Sequence, residues 1–167
     1  MNITKYCFIC QGAPGSGKSF LAAQFAAKFN AVICSADNFH IKNGKYNWKP
    51  ENGWKGHQYC QNLAKKNIGA GVDVVIDNTN TTTKEMSFYI DVARTYNAKI
   101  YIVRPTTEWA LNVNELYIRN THGVPLSTIE SMVDRIKFFM MGDLSDDGKW
   151  YHGDIQIITK VEEVTNV

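Results

Sequence analysis

Hydrophobic positions fall into short continuous runs, separated by longer stretches in which apolar residues recur every three or four positions. The runs read as buried strands and the recurring pattern as amphipathic helices. The first run, residues 5–11, holds Tyr6, Cys7, Phe8, Ile9 and Cys10, and a helix is predicted over 17–29, with Asn30 as its stop. A second short strand follows at 31–35, then a polar, aromatic loop that runs through Pro50. Glu51 opens a helix whose apolar or small positions are Gly56, Tyr59, Cys60, Leu63 and Ala64, ended by Gly69 and Gly71. The third run, 72–77, precedes Thr82 and Glu85, which have the spacing of a capping box. Met86, Tyr89, Ile90 and Ala93 form the inner stripe of the next helix. A fourth strand, Lys99–Val103, is closed by Arg104 and Pro105. Helices are predicted over 107–119 and from a Ser127 cap to Met140, parted by a turn at 121–125. A loop over 142–153, with Asp143, Asp146 and Asp147 in solvent, leads to a last strand at 155–159.

Strands alternating with helices imply an α/β chain with a mainly parallel, five-stranded sheet covered on both faces. Ligands of such sheets bind beyond the carboxyl ends of the strands. That rule puts residues 12–19, Asp37 and Asp77 on one rim. With 167 residues, a single domain over 1–167 is expected. The sequence contains no apolar run of the ~20 residues that span a bilayer, and no signal-peptide pattern, so a cytoplasmic protein with no membrane partner is expected. Net charge is only +2, so nucleic-acid binding would require a local basic patch. Cys7 and Cys10 have C-x-x-C spacing, but residues three apart on a strand face opposite sides. Cys34 and Cys60 have no zinc-like spacing, and all four are expected to be reduced core thiols.

The chemistry begins with Gly12, Ala13, Pro14, Gly15, Ser16, Gly17, Lys18 and Ser19, a complete G-x-x-x-x-G-K-[ST] phosphate loop between a strand and a helix. Its glycines let backbone N–H groups turn around an anion, and the helix adds the positive end of its dipole. Lys18 is expected to reach the β- and γ-phosphates of ATP, Ser19 to ligate Mg²⁺, and Phe20 to flank the nucleotide. Asp37 could take a proton from an attacking hydroxyl, hold Mg²⁺ through water, or simply cap a turn. Asp77 ends a hydrophobic run, as a metal-associated aspartate does, and Asn78, Thr79 and Asn80 extend it as either substrate contacts or a βα turn. Lys42, Lys45, Lys49 and Lys55 face a single acid, Glu51, with Tyr46, Trp48 and Trp54 interleaved. That segment suits a single nucleic-acid strand, rings stacking on bases and lysines on phosphates; equally, the tryptophans could anchor a solvated loop to the core. His57 could face an acceptor cleft, and Arg119 is either a dipole-favoured cation at a helix end or an active-site charge.

Residues 12–19, Ser35 through Phe39, Gly44 through Trp48, Asp77 through Asn80 and Arg119 through Pro125 follow one another as in a known family. The chain resembles the kinase domain of phage-type 5′-polynucleotide kinases and their relatives, over roughly residues 3–140. The resemblance implies a P-loop kinase-like three-layer sandwich with a helical lid at about 107–128. It implies Asp37 as the catalytic base and Arg119 as a lid arginine that stabilises the transferring phosphoryl group. Two positions depart: His40 stands where the family binds acceptor phosphate with arginine, and a second lid arginine is replaced near His122. The expected function is ATP- and Mg²⁺-dependent transfer to a hydroxyl, first of all the 5′-hydroxyl of DNA or RNA. Alternatives are a hydroxymethylated base in phage DNA, a nucleoside or other small molecule, or a non-transferring ATP-binding module. Oligomeric state is left open.

Overall fold

The computed structural model describes residues 5–141 and 153–165. The strands are β1 (Tyr6–Cys10), β2 (Val32–Cys34), β3 (Ile41–Lys42), β4 (Lys45–Tyr46), β5 (Val74–Ile76), β6 (Lys99–Val103) and β7 (Ile155–Ile158). The helices are α1 (Lys18–Phe29), α2 (Ala36–Phe39), α3 (Gly53–Gly69), α4 (Thr83–Thr95), α5 (Val113–Arg119) and α6 (Leu126–Met140). Five strands form one sheet in the order β2-β5-β1-β6-β7, every neighbouring pair parallel. β1 is central, with Phe8 opposite Val75 on one side and Tyr101 on the other. The phosphate loop and Asp77 therefore leave the sheet from adjacent strands.

Alternation along β1 divides the core. Tyr6, Phe8 and Cys10 pack with Phe25 of α1 and Tyr101, while Cys7 and Ile9 pack with Cys60 and Ile68 of α3 and Met86 and Ile90 of α4. Phe8 sits among the rings of Phe25, Phe29 and Tyr101 at centroid distances of 4.9, 4.9 and 5.6 Å. Burying one such ring is worth about 1.5–3 kcal/mol, so this cluster is a main source of stability for the central strand. Cys7 and Cys10 lie on opposite faces, and all four cysteines are buried and free. A third cluster joins α5 and α6 to the phosphate loop through Ala13, Leu116, Ile129 and Val133.

Local details differ from the sequence reading. The segment expected to be loop contains the single turn of α2 and a hairpin of β3 and β4, closed by Asn43 and Gly44 with φ of 52° and 75°. A 3-10 turn at Pro50–Asn52 precedes α3, whose inner face is Gly56, Cys60, Ala64 and Ile68, while Tyr59 is exposed. The helix predicted over 107–119 shortens to α5, because Asn112 accepts from the Glu115 N–H and caps it there. Pro125, not Ser127, precedes α6, and no side chain caps it. Thr82 caps α4 through the Glu85 N–H, but the Glu85 carboxylate returns to Thr81 rather than to Thr82. The predicted loop with Asp143, Asp146 and Asp147 lies outside the described residues. Among the described residues, no helix is long and apolar enough to cross a membrane.

Candidate functional site

The phosphate loop follows β1 and turns through left-handed Gly15 and Gly17, with φ of 82° and 95°. A side chain at Gly15 would also meet the Leu116 carbonyl at 2.8 Å, so α5 packs directly on the loop backbone. Gly17 caps α1 with no side-chain bond, which leaves the first N–H groups of a twelve-residue helix without helical partners. The loop's carbonyls are engaged from outside: Trp109 Nε1 donates to Gly15 O at 2.9 Å, and Thr107 Oγ1 to Ser16 O at 2.8 Å. Two buried oxygens at this site, Ser16 Oγ and Asp77 Oδ1, have no hydrogen-bond partner. Lys18 Nζ lies 3.9 Å from that Asp77 oxygen. Unpartnered donors around a left-handed glycine turn, with a lysine and a carboxylate behind them, fit a polyphosphate with a divalent cation. No three His, Cys, Asp or Glu among the described residues could hold a metal by themselves. A magnesium ion here would rely on phosphate oxygens for part of its shell, as it commonly does.

Beside the loop, Lys18, Ser19, the exposed ring of Phe20, Arg119 and Thr121 line an open cleft of about 370 Å³. Arg119 ends α5 with its guanidinium 3.5 Å from the centroid of the Trp109 ring and its Nε 3.3 Å from Glu115 Oε2. It thus borders the phosphate loop while resting on groups that hold it only loosely, since exposed ion pairs contribute little.

Asp37 stands in the first turn of α2, and that turn is tied to the sheet. Asn78 Oδ1 accepts from the Ala36 N–H at 2.9 Å, while the Asn78 amide reaches Cys60 Sγ at 3.4 Å. Tyr46 OH donates to Asp37 Oδ1 at 3.2 Å, and His122 Nδ1 lies 3.3 Å from Asp37 Oδ2. Burial and then the Asp37 charge push the Tyr46 phenol well above its ordinary pKa, so it remains a donor at neutral pH. His40 is buried, its imidazole against Gly56 of α3; burial lowers its pKa, with the nearby Asp37 opposing the shift. A cavity of about 500 Å³ runs from Lys18 and Ser19 past Asp37 to Tyr46, Trp48 and His57, roofed by His122 and α6.

The predicted residues thus separate into groups. Lys18, Ser19, Asp37, His40, Tyr46, Trp48, His57, Asn78 and Thr79 share the larger cavity with Pro14 and Gly15. Asp77 lies behind Lys18 and does not line the cavity. Asn80 does not present its side chain to an acceptor: with φ of 45° it turns inward and donates to the Cys10 carbonyl at 2.8 Å. Trp54 is 60% exposed beside Lys55 and lies outside the cavity, while Trp48 is half exposed at its edge, so neither anchors the loop to the core. Thr107 and Trp109 belong to no motif in the sequence. Their position just beyond the end of β6, on the ligand rim, is the signal that points to them. Arg135 of α6 donates to Thr81 Oγ1 at 2.9 Å, a long-range bond that no local pattern reveals.

The sequence profile of the AAA domain family matches residues 8–139. The chain belongs to that family. The chain is 33% identical over 134 residues to human NEDD4-binding protein 2, a match that covers 79% of it and 8% of the human protein. It is 26% identical over 130 residues to the 2',3'-cyclic-nucleotide 3'-phosphodiesterase of Rattus norvegicus, covering 77% of the chain and 30% of the rat protein. The chain therefore spans less than a third of either relative. In the structure of the Pnkp1/Rnl/Hen1 RNA repair complex, one chain superimposes with a TM-score of 0.67 at 23% identity, covering 84% of this chain and 47% of that one. The fold is that of P-loop kinases, as the sequence resemblance implied.

Proposed function

We propose that the chain is an ATP-dependent phosphotransferase that moves the γ-phosphoryl group to a hydroxyl, the 5′-hydroxyl of DNA or RNA being the favoured acceptor. The observation that carries this reading is the shared cavity: Lys18 and Ser19 of the phosphate loop line one end, and the Asp37 carboxylate faces it from α2. The 1–167 chain acts as one kinase unit, with the segment of about 107–128 as its lid.

The loop N–H groups, Lys18 and Arg119 bind and neutralise the triphosphate. Ser19, with Asp77 and Asp37 through water, would hold Mg²⁺, which when bound shields phosphate charge and orients the phosphoryl group. Asp37 accepts the proton of the acceptor hydroxyl as the new oxygen–phosphorus bond forms and the bond to the β-phosphate oxygen breaks, so that ADP leaves. The chain forms no covalent bond; positioning and fixed charge supply the catalysis. Basic Lys42, Lys45 and Lys49 on and after the β3–β4 hairpin suit the phosphates of a single strand, and the likeness to a chain of an RNA repair complex agrees with a nucleic-acid substrate.

The test offers γ-labelled ATP and Mg²⁺ with 5′-hydroxyl DNA, 5′-hydroxyl RNA, hydroxymethylated-base DNA and nucleosides. Label on the 5′ end of DNA or RNA is the expected outcome. Nucleotide binding without label on any acceptor would make the chain a binding module instead.

A further inference from the structure

The acceptor end of the larger cavity is aromatic and holds no lysine or arginine among the described residues. Tyr46, Trp48, His57 of α3, His122 and Met132 of α6 line it. Lys18 is the one lysine or arginine among the described lining residues, and it stands at the phosphate-loop end beside Asp77. The lysines at 42, 45, 49 and 55 are exposed outside this lining. His40, which borders the cavity, is buried against Gly56, and burial disfavours its charged form. His122 already lies 3.3 Å from Asp37 Oδ2.

A phosphate monoester drawn into this space would lose water and meet no lysine or arginine there, close to the Asp37 carboxylate; both effects oppose binding. An uncharged base meets the opposite balance. The Tyr46 and His122 rings are stacked, and the half-exposed Trp48 indole lines the same cavity. Stacking of a base on such rings is worth about 1–3 kcal/mol, and the volume falls in the range of small-ligand pockets.

Resting on the phosphotransferase reading above, we propose that the acceptor is recognised by the base of the nucleoside that bears the hydroxyl, and not by a phosphate attached to that same nucleoside. Phosphates farther along a strand lie outside the cavity, where the lysines are.

The test compares a nucleoside, the same nucleoside 3′-phosphate and a 5′-hydroxyl oligonucleotide as acceptors for the wild-type chain at saturating Mg²⁺-ATP. Values of kcat/KM for the nucleoside and its 3′-phosphate within about threefold of each other are expected. A preference of about 30-fold or more for the 3′-phosphate overturns the proposal while leaving the kinase reading intact. Label on the oligonucleotide with none on the free nucleoside overturns it in the same way. No label on any of the three removes the nucleoside and 5′-hydroxyl strand as acceptors, and the proposal with them. The half-exposed Trp48 gives a second readout: Trp48→Leu should raise KM for both small acceptors by at least about fivefold, the value of one stacked base, and an unchanged KM for both counts against base recognition.

Discussion

The imidazole of His122 lies flat on the ring of Tyr46, with centroids 4.1 Å apart and planes 14° apart. The two rings belong to the turn before α6 and to the β3–β4 hairpin, segments 76 residues apart in the chain (122 − 46). Each reaches a different oxygen of Asp37. One carboxylate is thus held from two directions, the fixing that its proposed role as general base would need.

Asp37→Asn keeps the shape and removes the proposed proton acceptor. Phosphoryl transfer is expected to fall by about 10²–10⁴ in kcat, with ATP affinity changed by less than about threefold. Single-turnover label transfer and nucleotide titration measure the two separately. Equal loss of both would mean that Asp37 serves the nucleotide instead.

Tyr46→Phe leaves the ring stack and deletes one hydrogen bond to the carboxylate. A bond to a charged group is worth about 1.5–3 kcal/mol at most in a partly exposed site, so kcat should drop about tenfold with KM nearly constant. Steady-state kinetics on one acceptor suffice, and a change confined to KM would assign Tyr46 to acceptor binding alone.

His40 supplies a pH dependence of stability. Its folded pKa lies below that of the unfolded chain, so the unfolded state takes up the proton first as pH falls. Stability is full above the unfolded value of about 6.5 and declines as pH drops through the window between the two pKa values. Urea midpoints at neutral and mildly acidic pH should show this slope, and His40→Asn should flatten it.

Gly56→Ala pits two effects against each other. Alanine favours a helix interior by about 1 kcal/mol, but overpacking costs about 1–3 kcal/mol. The new Cβ would sit 2.5 Å from His40 Nε2 and 2.8 Å from the Ala36 carbonyl. The second neighbour is backbone and cannot rotate away, so net destabilisation of up to about 2 kcal/mol is expected in chemical denaturation. A stabilised variant would show that α2 moves freely on α3.

Lys42 and Lys45 face each other across the hairpin, an arrangement that repels itself unless an anion lies nearby. Reversing Lys42, Lys45 and Lys49 to Glu should raise KM for a single-stranded acceptor and flatten its dependence on salt, by about 0.7 in logarithmic slope for each phosphate no longer neutralised. KM measured against salt concentration checks it; an unchanged slope would place the strand elsewhere.

The sheet and the phosphate loop are legible in the sequence because their signals are local and strong: a continuous apolar run, then a glycine turn of fixed spacing. Met86, Tyr89, Ile90 and Ala93 likewise declare their face by period, and all four are buried. The surroundings of Asp37 are not legible, because nothing local stabilises them. A four-residue helix and two-residue strands are too short to carry a pattern. They are held by Asn78 on the Ala36 N–H and by His40 against Gly56, pairs 42 and 16 residues apart (78 − 36 and 56 − 40). The Asn112 cap is readable in principle, since Asn112 and Glu115 repeat the spacing of Thr82 and Glu85. Asn80 misleads for the opposite reason: its polarity suggests display, yet a left-handed backbone carries it inward to bond a strand carbonyl.

Thr107 and Trp109 grip the phosphate loop by its own carbonyl oxygens. Any opening of the lid proposed for about 107–128 would therefore carry the cradle along with the stretch leading into α5, or turn at residues 120–125, where Gly123 is left-handed. In the second case nucleotide and acceptor would enter by different doors, one beside Arg119 and one under His122.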